Sequence, residues 1–153
     1  CEEGQRRFPN DYRFAECQLW LFALKGVKPD VPKAWALRER YVKLSPPQLQ
    51  EFRQKRGQML VAFALIRAKL PDSARRVMLA ARADASIDNN RELPYIESLA
   101  RTMLGDKNEA FEQLTVYLAK NPQQARNLDQ EVSWWTRDLR SDPRWQQLKA
   151  VTR

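Results

Sequence analysis

Apolar positions recur at helical spacing in blocks of 10–20 residues, and Pro, Asp and Asn separate the blocks. No stretch sustains an every-second alternation, and no Asn-Gly or Asp-Gly pair offers a hairpin turn, so the pattern predicts an all-α chain. Asp11 can cap a helix running to about Leu24, with Phe14, Leu21 and Leu24 in its apolar stripe. Asp30 precedes a second helix, Val31 to Leu44. Ser45-Pro46 reads as the start of a long helix from Pro47 to about Leu70, since Ser accepts from first-turn N–H groups and Pro suits the first helical position. Leu60 to Ile66 is apolar nearly all round, which predicts a central place for that helix. Pro71-Asp72 breaks it and opens another that reaches about Asp84. Asp88-Asn89-Asn90 is a turn, and Arg91 to Leu104 resumes the helix with Pro94 in its first turn. Gly105 ends that helix by relieving left-handed strain. Asn108 then caps a helix to Lys120, and Asp142 with Pro143 begins a final short one.

Helix pairs begin near Asp11, Ser45 and Asn90, and each second helix carries an early Ala: Ala34, Ala74 and Ala110. The spacings of 40 and 36 residues fall in the range of stacked helical hairpins. Leu104-Gly105-Asp106-Lys107-Asn108-Glu109-Ala110, followed by Leu114, Leu118 and Pro122, resembles a tetratricopeptide repeat. That family places Leu-Gly-Asp at the inter-helix turn, a small residue at the close crossing, and Pro twelve residues later; Ala34 to Pro46 repeats the interval. The likeness is sharpest over 98–122, and the turn before Ala34 is longer than the family's. Asp138 to Leu148 resembles the closing segment of such arrays in bacterial multidomain signalling proteins, which join them to kinase, cyclase or winged-helix domains.

The resemblance implies antiparallel hairpins stacked as a right-handed solenoid with a short C-terminal capping helix. The expected layout is one repeat domain over 1–153: the end of a truncated repeat at 1–10, hairpins at 11–46, 47–86 and 88–122, and a cap at 123–153. One hairpin cannot cover its own apolar stripe, so its neighbours must. Trp134, Trp135, Trp145 and Leu148 are suited to cover the last exposed face.

Composition narrows the chemistry. The 153 residues contain no His, which excludes Ser-His-Asp and Cys-His nucleophile systems and HExxH zinc sites. With only two Cys, a zinc site would need carboxylates alone, so no metal, cofactor or catalytic residue is expected. Glu97-Ser98 resembles the Glu-Ser of helical lytic transglycosylases, but the glycine-containing segment that should follow is missing. The longest apolar run, Met59 to Ile66, is 8 residues, far below the ~20 needed to span a bilayer.

Cys1, followed by the helical-looking Glu2 to Phe8, reads as the start of an excised domain in a cytoplasmic protein. The alternative is a lipidated periplasmic cysteine. Cys17 reads as a buried thiol, with a Cys1–Cys17 bridge as the less favoured reading.

Net charge is +8, from 27 basic and 19 acidic side chains. Residues 25–83 hold 14 basic and 4 acidic groups (+10), whereas 84–153 hold 10 and 11 (−1). A positive first half favours acidic partners. In the implied array, first helices line a concave groove, to which Arg53, Arg56, Met59, Phe63 and Arg67 contribute from one hairpin and Tyr95, Leu99 and Thr102 from the next. Arg forks there hold carboxylates, while Met59 and Tyr95 receive an apolar anchor. Phe63 reads as core. The expected function is a non-enzymatic scaffold for a peptide, a partner protein or another domain of its own parent chain, within a larger bacterial signalling protein. A nucleic-acid-binding repeat using the basic first half, and a purely architectural or dimerising module, are the alternatives.

Overall fold

A computed structural model describes the backbone of residues 1–130 and 134–151 and the side chains of 1–128 and 137–148. Among the described residues every regular element is helical. The chain divides into two compact units, Cys1–Ala83 and Asp84–Arg153.

The first unit holds α1 (Glu2–Arg7), α2 (Tyr12–Leu21), α3 (Val31–Leu44), α4 (Gln50–Arg67) and α5 (Pro71–Ala81). Helices α2 to α5 each pack on the next in sequence, and α4 also touches α2, which makes α4 the central element as its all-round apolar stretch predicts. Met59 through Leu65 are all buried. Asp11 and Asp30 cap α2 and α3 by accepting from the backbone N–H of Arg13 and Lys33. The buried face of α2 is Ala15, Gln18 and Leu19 rather than the expected stripe, and Leu24 is 40% exposed.

Ser45 does not cap α4. Its hydroxyl donates to Tyr41 O (2.7 Å) and finishes α3, while a 3-10 turn, Pro47–Leu49, leads into α4. The long helix ends at Arg67, before the expected Leu70, because Lys69 turns left-handed (φ 59°). Lys69 N–H then bonds Ile66 O and Leu70 N–H bonds Leu65 O, satisfying two terminal carbonyls.

Small residues set the close approaches. Ala34 and Ala74 are fully buried, and a Cβ on Gly57 of α4 would stand 2.8 Å from Arg38 Cγ and 3.4 Å from Tyr41 Cδ1, both on α3. A Cβ on Gly4 would overlap the Phe14 ring, so α1 lies hard against α2. A Cys1–Cys17 disulfide holds the two together, with the Cα atoms 5.6 Å apart. This corrects the reading of Cys17 as a buried thiol.

The second unit holds α6 (Glu92–Leu104), α7 (Lys107–Lys120), α8 (Gln124–Gln130), α9 (Trp134–Arg140) and α10 (Arg144–Val151). Asp88, 1% exposed, caps α6 by accepting from Glu92 N–H (2.9 Å) and Leu93 N–H (2.8 Å). Gly105 ends α6 at φ 81°, with Gly105 N–H on Thr102 O and Asp106 N–H on Arg101 O. Helix α7 begins at Lys107, and Asn108, instead of capping it, accepts from Arg144 Nη1 (2.8 Å). Ala110, Phe111, Leu114, Leu118, Ala125, Leu128, Leu139, Trp145 and Leu148 form one buried cluster, with Tyr95 and Tyr117 packed against it. Trp145 and Leu148 thus close the core of this unit; the side chains of Trp134 and Trp135 lie outside the described residues.

A buried ion triad ties the end of α6 to its turn. Arg101 donates from Nε and Nη2 to Glu97 Oε1 (3.1 Å each) and from Nη1 to Asp106 Oδ2 (3.1 Å). Glu97 is fully buried and Arg101 is 5% exposed.

Candidate functional site

The arginines expected to line a groove have internal partners. Arg53 and Arg56 stand one turn apart on α4 and converge on Glu16 of α2. Arg56 Nε donates to Glu16 Oε1 at 2.7 Å, and Arg53 Nη1 lies 3.9 Å from Glu16 Oε2. Arg53 also donates to Tyr41 Oη (2.8 Å), and its guanidinium sits 5.2–5.6 Å from the ring centroids of Tyr12, Tyr41 and Phe52. Burial holds the Tyr41 phenol far above its ordinary pKa, with the Glu16 charge acting in the same direction and the two arginines against it. Arg67 donates to Ala23 O (2.6 Å), and burial lowers its pKa. All three arginines brace the α2 segment onto α4.

Met59 and Leu99 are 1% and 2% exposed, so both are core residues and neither can receive an anchor. Phe63 is fully buried and packs on Trp20, with centroids 5.5 Å apart. In the second unit, Thr102 donates its hydroxyl to Ser98 O (2.8 Å), and the half-buried Tyr95 stacks against Tyr117 at 4.9 Å. Glu97, the carboxylate of the transglycosylase-like dipeptide, is sealed in the triad with no exposed surface for a substrate. Among the described residues no group of three or more His, Cys, Asp or Glu could hold a metal ion. No described helix is long and apolar enough to cross a membrane.

What the first unit does present is uncompensated charge. Its sequence carries 17 basic and 8 acidic side chains, a net of +9. Several of those acids sit on nearby cations: Glu3 on Arg6 and Arg7, Asp11 on Arg13, Glu16 on Arg53 and Arg56, Asp72 on Arg75. Among the described residues other cations bond neutral groups: Arg40 donates to Pro9 O, Lys55 to Ala80 O and Arg76 to Ser73 Oγ. Lys28, Lys43 and Lys69 are exposed. The same unit contains a cavity of about 260 Å³ between α2, the start of α3 and the loop joining them. Leu21, Phe22, Val27 and Pro29 give it apolar walls, and Gln18, Glu2, Lys28, Asp30 and Lys33 supply its polar groups. The sequence signal for it was the unusually long turn before Ala34, which supplies Val27, Lys28 and Pro29. Comparison with protein-family models, with curated proteins and with solved structures finds no match to this chain.

Proposed function

We propose that the chain is a non-enzymatic helical scaffold of the tetratricopeptide type, and that its first unit receives an acidic peptide or an acidic face of a partner domain. One observation carries this reading: Glu3, Asp11, Glu16 and Asp72, half of the acids of that unit, are engaged by local arginines, while cations such as Arg40, Lys55 and Arg76 rest on carbonyl or hydroxyl groups. A guanidinium or ammonium bonded to a neutral acceptor keeps its full charge for an incoming carboxylate. The full burial of Ala34, Ala74 and Ala110 supports the repeat-type packing, in which a small residue at that position lets two helix backbones come close. A role within a larger signalling protein belongs to the same proposal and rests on the Asp138–Leu148 likeness.

The test is fluorescence anisotropy with a labelled peptide of Glu and Asp residues, set against a single-stranded and a duplex oligonucleotide, at 50 and 200 mM salt. The proposal expects the peptide to bind at both salts. A protein making 6–10 phosphate contacts loses about 10³–10⁵ in affinity over that range. Tighter, steeply salt-dependent binding of the oligonucleotides, with none of the peptide, overturns the reading in favour of a nucleic-acid-binding repeat. Self-association in sedimentation, with no ligand bound, overturns it in favour of an architectural module.

A further inference from the structure

Helix α1 is fastened to the first unit chiefly by a covalent bond. None of its residues is buried, and its 6 residues fall far short of the ~12–15 below which an isolated helix is marginal in water. The ion pairs of Glu3 with Arg6 and Arg7 stay within the helix. Outside it, Glu2 meets Lys33 of α3 at 3.3 Å, but both side chains are well exposed, so the pair holds little. Gly4 lies against the Phe14 ring of α2, and Phe8, itself 60% exposed, stacks on the same ring with centroids 6.1 Å apart. Gln5 Oε1 is buried there with no hydrogen-bond partner, a cost that vanishes once α1 stands in water. The Cys1–Cys17 bond is the remaining tie, and both cysteines are only half-buried, within reach of a thiol in solution. Just past α1 the chain is held firmly: Arg40 Nη2 donates to Pro9 O (2.7 Å), and Asp11 caps α2. Helix α1 is thus a strap, footed at Pro9 and clasped at Cys1, that covers Phe14 and supplies Glu2 to the wall of the cavity.

We propose that the Cys1–Cys17 pair is a redox latch that sets whether this strap is closed. A dithiol opens it by exchange. Its thiolate attacks one of the two sulfurs and forms a mixed disulfide, which its second thiol then displaces. The two electrons and two protons it gives up leave Cys1 and Cys17 as thiols, and the reductant as a cyclic disulfide. Without the bond, the weak contacts of α1 no longer outweigh the cost of ordering it, and it swings out about Phe8 and Pro9. Phe14 loses its cover, Lys33 loses Glu2, and the cavity opens on that side. A small-molecule disulfide closes the strap again by the reverse exchange.

The test is backbone amide relaxation by NMR on the full chain, oxidised and then reduced with dithiothreitol. In the oxidised chain residues 2–8 should be rigid, with order parameters of about 0.85, and after reduction they should fall below about 0.6. Cross-relaxation between Gly4 Hα and the Phe14 ring should vanish with them, while α3 and α4 stay at about 0.85 with their peaks in place. The double variant Cys1→Ser, Cys17→Ser should show the reduced pattern without reductant. Oxidised glutathione should return the reduced wild type, but not the variant, to the closed pattern. Residues 2–8 that stay rigid after reduction, with the Gly4–Phe14 signal intact, overturn the latch, since the non-covalent contacts then suffice. Residues 2–8 already mobile in the oxidised chain overturn the strap. Loss of peak dispersion across α3 and α4 on reduction overturns the proposal in favour of a staple for the whole unit.

Discussion

Replacing Arg101 by Met removes the hub of the buried triad while keeping most of the aliphatic stem. The substitution takes two charge-assisted hydrogen bonds from the fully buried Glu97 and one from Asp106, whose side chain is 15% exposed. Breaking a buried ion pair by deleting one partner costs about 3–5 kcal/mol, because the remaining charge stays out of water. Against a typical domain stability of about 5–15 kcal/mol that is a large share. With a urea slope of about 2 kcal/mol per M, the transition midpoint should fall by roughly 2 M. Removing both charges with Glu97→Leu plus Arg101→Met should recover most of the loss, since an apolar pair of similar volume leaves no carboxylate stranded on α6. Equilibrium urea unfolding followed by circular dichroism reads both effects, with an unchanged slope as the check on two-state behaviour. A loss below about 1 kcal/mol in the single variant would refute the argument. So would a double variant as unstable as the two singles combined, because the coupling would then be absent.

Four further outcomes follow from particular residues. Lys69 holds a left-handed conformation that costs an L-residue about 1–2 kcal/mol, so Lys69→Gly should stabilise the first unit by about 0.5–1 kcal/mol in thermal melts, after the extra unfolded-state freedom of Gly. Gly57→Leu forces Arg38 and Tyr41 aside and should cost about 1–3 kcal/mol by the same measurement. The Cys1–Cys17 bond closes a loop of 16 residues; Cys17→Ser, or reduction of the wild type, should lower stability by about 3 kcal/mol, and equal melts with and without reductant would contradict this. Asp142 is held at a pKa of about 2, chiefly by the Arg144 side chain and then by its backbone N–H. Because its folded pKa is depressed below 3.8, its contribution is present above that value and lost as pH falls through about 2. A carboxyl NMR titration of wild type and Arg144→Ala should show the midpoint rise towards 3.8 in the variant.

The parts of the fold legible in the sequence were those decided within one turn of chain. Asp11 and Asp30 cap because a short carboxylate reaches the N–H two or three residues on, and Gly105 stops α6 because the left-handed turn there favours a residue without a Cβ. Ser45 shows the limit of that logic: its hydroxyl could accept from an N–H ahead or donate to a carbonyl behind, and it donates to Tyr41 O, closing one helix instead of opening the next. Asn108 was drawn off by Arg144, 36 residues away. The face of α2 differs from the expected stripe because Phe14, Leu21 and Leu24 are its larger apolar residues, whereas the helix buries the small Ala15 with Gln18 and Leu19. The groove arginines failed as site residues for a related reason. A run of cations looks available until the fold supplies Glu16 from another helix and Ala23 O from a loop, 40 and 44 positions away in the chain. Pairing of Cys1 with Cys17 likewise depends on α1 turning back onto α2 through Phe8-Pro9-Asn10-Asp11, which neither cysteine's own surroundings announce.

The aromatic ring of Trp20 against Phe63 and the enclosed indole of Trp145 give each half of the molecule its own optical reporter. A chain keeping Trp20 as its sole indole would emit according to the state of residues 1–83, and one keeping Trp145 according to that of 84–153. Superimposable emission curves would make the two halves one cooperative block, and separated curves would make them independently melting modules that a partner can stabilise one at a time.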